Sequence, residues 1–156
     1  MLSSMRQAFV VLCALGALAS PIATAAGSST HESALLVEMN RVRIANGLAP
    51  LRSDPHLEQA AVAHTRKMLA SDTFAHGAFG SRMLQFNVSF STAGENLAWA
   101  TGPLASPHGI VAAWLASPDH RANLLRPSFR RVGLGDIVGT FQGYSGARVV
   151  TADFAG

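Results

Sequence analysis

The apolar residues of this chain change their period after Pro127, and that change limits the fold more than any other feature. Before it, Leu35, Leu36, Met39 and Val42, and then Leu57, Ala60, Ala61, His64 and Met68, recur at steps of three and four, the spacing of helices that bury one stripe. After it, Val132, Leu134, Ile137 and Val138 stand among Gly133, Gly135 and Gly139, and 147–154 alternates like a strand. A hairpin that turns within 142–146 is expected there, with a further strand near Glu95. Helices first and strands last describe an α+β domain, with helices packed on an antiparallel sheet.

Local signals divide the helical part. Asn46-Gly47 stops the first helix, and Ser53-Asp54-Pro55 starts the second with a capping side chain and a proline that needs no amide partner. Ser71-Asp72 ends that helix, and a loop with two phenylalanines, Phe74 and Phe79, flanks His76. Residues 81–86 read as a short helix. Ser106-Pro107 opens another, and Ser117-Pro118 breaks it before a last turn or two from Asp119 to Leu125.

The N-terminus has a different character. A weakly cationic start with Arg6, the apolar run 8–19, Pro21 and Ala23-Thr24-Ala25 describe a secretory signal peptide over 1–25, cleaved after Ala25. Residues 26–34 then read as a flexible lead, and 35–156 as one domain. The lone Cys13 would leave with the signal, so the exported domain must rely on its core rather than on disulfides. The expected location is secreted or periplasmic, without stable membrane insertion after cleavage.

The charge balance of +3 is carried mainly by arginines scattered along the sequence, with Arg66-Lys67 and Arg130-Arg131 the only adjacent pairs. This argues against nucleic-acid binding and for solvation, with weak affinity for anionic envelope polymers. His31-Glu32 lacks the second histidine of a zinc-protease helix, Gly143 to Ala147 is no nucleophile elbow, and no phosphate-binding glycine loop occurs.

Histidine and glutamate remain as candidates. His76, Glu95 and His120 each lie in a turn-like context beside groups that want to be buried. Two imidazoles and a carboxylate suit a divalent metal with an open position. They equally suit acid/base work, with Glu95 as the candidate catalytic group, or a purely structural role. His64, on an apolar stripe, reads as a core histidine. His31, His56 and His108 lie at helix beginnings and are expected to be exposed, while Trp99 and Trp114 read as core.

From Leu35 to Phe154 the chain resembles the CAP superfamily of cysteine-rich secretory, antigen 5 and pathogenesis-related proteins (the SCP domain), in its short bacterial branch. The resemblance is carried by 36–43 with Gly47-Leu48 and Pro50-Leu51, by 60–68, and by Phe74-Ala75-His76. It continues through Gly94-Glu95-Asn96-Leu97, Trp114 to Leu125, Val132-Gly133-Leu134-Gly135 and Asp153-Phe154. It implies an α-β-α sandwich, secretion, and a cleft lined by two histidines and two acids. His76, Glu95 and His120 match three of these positions, and Ser117 stands where larger members carry a glutamate, which weakens any metal site.

The expected function is therefore an exported domain whose cleft of His76, Glu95, Ser117 and His120 binds a ligand, with zinc or another divalent cation held by His76 and His120. The ligand would be a lipid, a peptide, an envelope polymer or a protein. A metal-assisted or Glu95-assisted hydrolase of peptides or envelope material is the first alternative. The second is a protein-interaction module whose cleft residues only hold loops together.

Overall fold

The computed structural model describes residues 30–156. The expected signal segment 1–25, with Cys13, and residues 26–29 of the lead lie outside the described residues. In chain order the elements are α1 (Thr30–Ala45), β1 (Arg52–Ser53), α2 (Pro55–Ser71), α3 (Phe79–Gln85) and β2 (Ala93–Ala100). A 3-10 turn (Gly102–Ala105) leads to α4 (Pro107–Ala116), α5 (Pro118–Leu124), β3 (Arg131–Phe141) and β4 (Tyr144–Ala155).

The sheet runs β1-β3-β4-β2. β3, β4 and β2 are antiparallel, whereas the two-residue β1 joins β3 in parallel, so the sheet is not wholly antiparallel. The β3–β4 turn uses Gln142 and Gly143, both with positive φ (51° and 81°), which matches the right-handed twist of a two-residue hairpin. Helices cover both faces, giving an α-β-α sandwich.

On one face α1 and α4 bury Leu35, Met39, Ile110, Val111 and Trp114 against Val132, Leu134, Val150, Ala152 and Phe154. Each such side chain contributes about 1.5–3 kcal/mol when fully removed from water. α1 begins at Thr30, so residues 30–34 are helical rather than part of a lead, and Glu32 is buried. The first turn is drawn in because His31, expected to be exposed, is half-buried: its Nδ1 faces Asp136 and its Nε2 lies 3.0 Å from the Ala105 carbonyl.

α2 covers the other face. Asp54 caps it by accepting from the His56 and Leu57 amides, and Asp72 closes it in the left-handed region. Its alanine-rich stripe lies directly on β3, where a Cβ at Gly133 would stand 2.0 Å from the Leu57 backbone and one at Gly135 2.5 Å from that of Ala61. This close seat brings Thr65 Oγ1 to 2.9 Å from Thr151 Oγ1. It also buries His64 between α2 and the sheet.

β2 is an edge strand, and its outward carbonyls are capped by side chains from the α4 and α5 layer. Trp114 Nε1 donates to the Leu97 carbonyl at 3.0 Å, and Asn123 Nδ2 to that of Glu95 at 3.1 Å. The rim of the sheet is thereby protected from pairing with another chain.

Candidate functional site

The site wraps around the edge formed by β2. His76 reaches it from the α2 side and His120 from the α5 side, with Glu95 between them.

The loop that carries His76 is held at three points. Phe74 packs edge-on against Phe141, with ring centroids 6.3 Å apart. Gly77 turns the chain with φ 61° and lies against the His64 ring. His64 Nε2 donates to the Ala75 carbonyl at 2.9 Å. His64 is therefore the hydrogen-bonded core histidine expected from its position, and it is also the support of the His76 loop. Burial first, and the neighbouring Arg82 charge second, push it down to about 4, so it stays neutral.

The Glu95 side chain is buried. His76 Nδ1 donates to its Oε1 at 2.6 Å, while its Oε2 receives Arg82 Nη2 and lies 3.7 Å from His64 Nε2. Arg82 Nη2 also reaches Asp153 Oδ1 at 3.2 Å, and Arg82 Nη1 donates to the His76 carbonyl at 3.4 Å. Asp153 is fully buried and pairs with Glu95 in register across β2 and β4. Because the Glu95 carbonyl points outward to Asn123, the pair is of the non-hydrogen-bonded kind, in which facing side chains come closest.

Two carboxyls therefore share one guanidinium in an apolar setting. Burial raises both above the ordinary carboxylate range, Arg82 opposes this, and the Glu95 charge raises Asp153 further. Asp153 Oδ2 and Arg82 Nε have no hydrogen-bond partner among the described residues.

His120 is half-buried on α5. Its own carbonyl accepts from Asn96 Nδ2 at 2.9 Å, and Asn96 Oδ1 accepts from Asn123 at 3.1 Å, which ties α5 to β2. Gly94 makes room for this, since a Cβ there would lie 2.9 Å from Asn123 Oδ1 and from the Phe129 ring. Burial lowers the His120 imidazole, and the nearby His76 charge lowers it further. His76 has 59% of its side chain exposed.

Of the four expected residues, His76 and Glu95 are bonded and His120 stands close by. Ser117 joins α4 to α5 without a side-chain cap, and its hydroxyl makes no hydrogen bond among the described residues. The acid that Ser117 does not supply has a counterpart at the base of the site in Asp153. Asp153 and Arg82 were not singled out from the sequence as site residues. One signal for Asp153 was available, a charge near the end of a strand whose residues 149–155 are mostly apolar.

A metal fits this arrangement only through the imidazoles. Glu95 has both oxygens engaged, and among the described residues no group of three or more His, Cys, Asp or Glu is placed to hold an ion. Glu95 instead orients His76 through Nδ1, the usual outer-shell role of a carboxylate behind a ligating histidine. Of the remaining histidines, His56 and His108 are exposed as expected; His108 Nδ1 lies 3.0 Å from Glu38.

No helix among the described residues is long and apolar enough to cross a membrane. The chain is 35% identical over 112 residues to the uncharacterized protein YkwD of Bacillus subtilis, covering 69% of this chain and 42% of that protein. It is 32% identical over 114 residues to the uncharacterized membrane protein YlbC of the same organism, covering 69% of this chain and 32% of the relative. This chain thus spans less than half the length of either relative. Among solved structures, an extracellular SCP-domain protein of Bacillus anthracis superposes with a TM-score of 0.62 at 28% identity, over 78% of this chain and 38% of that one. An outer surface protein of Borrelia burgdorferi shares the fold with a TM-score of 0.65 at 24% identity, over 77% and 87%. The model of the cysteine-rich secretory protein family, CAP, matches residues 36–154, nearly all of the described chain, and the protein belongs to that family.

Proposed function

We propose that this CAP domain is an exported binding module whose cleft on the β2 edge takes its ligand through His76 and His120. A divalent cation such as zinc would complete the site. The observation that carries the reading is the bond to His76: Glu95 engages Nδ1 at 2.6 Å, which leaves the Nε2 lone pair of this largely exposed ring available to a ligand. A bound cation would supply Lewis acidity and a point of attachment for a lipid, peptide or envelope-polymer group. Export is supported by the extracellular and outer-surface relatives.

Calorimetric titration with zinc tests it. The wild type is expected to bind and a His76→Ala, His120→Ala double variant not to, with affinity falling as the pH drops through the imidazole range, because the ligating ring must be neutral. Equal binding by both proteins overturns the metal part.

One observation favours a second reading. The Glu95 carboxyl is raised by burial toward the range in which general bases work, and it is bonded to an exposed imidazole. A hydrolase would use this pair on peptide or envelope bonds. Turnover abolished by Glu95→Gln supports that reading, and turnover unaffected by it counts against it.

A further inference from the structure

At the opposite edge of the sheet from the cleft, arginines that are scattered in sequence come together. A groove of about 490 Å³ is lined by Ala49, Pro50, Arg52, Ser53, Arg130 and Arg131. Arg52 and Arg131 are direct partners in the β1–β3 pairing, a placement of like charges that costs stability unless something offsets it. Arg131 is partly offset by Asp54, its Nη1 donating to Oδ2 at 2.8 Å. The exposed Arg52 guanidinium has no partner among the described residues, and the exposed Arg130 bonds only backbone carbonyls.

A fourth arginine stands behind them. Arg43 is fully buried and donates to the carbonyls of Ala49, Leu124, Arg126 and Phe129 at 2.8 to 3.2 Å, with no carboxylate among its partners. Burial lowers it, and the charge on Arg130 lowers it further, so the two guanidiniums repel. Arg43, Arg52, Arg130 and Arg131 thus gather at one end of the molecule, with Asp54 as the carboxylate bonded to Arg131. Separated in sequence, these arginines converge because β1 pairs with the start of β3 and α1 packs behind both.

We infer that this groove is a second ligand site, independent of the His76–Glu95 cleft, and that it takes the phosphate group of an organic phosphate ester between Arg52 and Arg130. Guanidinium forks match the oxygens of a tetrahedral dianion in pairs. Ala49 and Pro50 give the organic stem an apolar wall. The groove is larger than a bare phosphate needs, which favours an ester over the free ion. The same chemistry is offered by a soluble sugar or glycerol phosphate and by a phospholipid headgroup.

The test uses sn-glycerol 3-phosphate in calorimetry, and vesicles of phosphatidylglycerol against phosphatidylcholine in co-sedimentation, at fixed low salt. Wild type is expected to bind the soluble ester. Arg52→Ser with Arg130→Ser should weaken binding by about 10-fold or more, as the loss of charge-assisted hydrogen bonds requires. Arg66→Ser, an exposed arginine elsewhere, should leave it unchanged. Binding only to phosphatidylglycerol vesicles, with the same dependence on Arg52 and Arg130, supports the site and assigns the phosphate to a headgroup. Binding that survives the double variant, binding equally weakened by Arg66→Ser, or no binding to either probe overturns the proposal. Zinc titration of the double variant should match the wild type, which separates this site from the cleft.

Discussion

Glu95 and Asp153 face each other across β2 and β4, both buried, with the Arg82 guanidinium bonded to both. Removing that cation leaves two carboxyls in an apolar setting, with the His76 bond to Glu95 Oε1 as the remaining compensation. Arg82→Gln should therefore destabilise the fold by about 3–5 kcal/mol, the cost of breaking a buried ion pair from one side. Adding Asp153→Asn should recover part of this loss, because the surviving carboxylate no longer has a like neighbour. Urea unfolding of the two single variants and the double variant measures the coupling. Strictly additive effects would show that Arg82 does not act between the carboxyls.

The same cluster sets two opposing pH dependences. The raised carboxyls keep a proton in the folded state that the unfolded chain releases above about pH 4, so their contribution is lost as pH rises through the higher folded range. His64 acts in the other direction. Its folded value of about 4 lies below the ordinary 6.5, so the unfolded chain takes the extra proton and stability falls as pH drops through that window. Thermal melts in metal-free buffer from acid to mildly alkaline pH should show a flatter alkaline decline in Asp153→Asn and a flatter acid decline in His64→Gln. An unchanged alkaline limb in Asp153→Asn would mean that Asp153 holds no such proton.

What could be read in advance follows the range of the interactions. The Asp54 cap, the α2 stripe and the turn at Gln142-Gly143 depend on neighbours a few residues away, and the chain displays them directly. His76, Glu95 and His120 were legible as charges in apolar surroundings and through the family resemblance. Arg82 was not, because a charged residue on a short helix is ordinary until the β2–β4 register brings Glu95 and Asp153 beneath it. His31 was misjudged for the same reason, since its partners Asp136 and Ala105 lie 105 and 74 residues away. The arginine groove likewise exists only through the pairing of Arg52 with Arg131.

The seat of α2 gives a contrast between glycines. A Cβ at Gly133 or Gly135 would meet backbone atoms of α2 at 2.0 Å or 2.5 Å, and a helix backbone cannot yield as a side-chain tip can. Either change to alanine should cost about 1–3 kcal/mol or more, as overpacking does, with Gly133 the worse. Gly80, in α3 with open space around it, should tolerate alanine and gain up to about 1 kcal/mol. Melting temperatures of the three variants test the order, and a mild effect at Gly133 would mean that α2 shifts freely.

The position of Glu95 behind His76 separates an outer-shell role from a ligand role. If the carboxylate only orients the imidazole, Glu95→Gln still offers an amide oxygen to Nδ1–H, and zinc affinity should fall by about 10-fold, with Glu95→Ala nearer 100-fold. Both variants should retain binding that the His76→Ala, His120→Ala double variant lacks. If Glu95 ligated the ion, its removal would lower affinity as far as the loss of a histidine. That outcome would require Oε2 to leave Arg82, the contact that now holds the carboxylate beneath the imidazole. Calorimetry on the four proteins distinguishes the two cases, and the bonds to His76 and Arg82 favour the first.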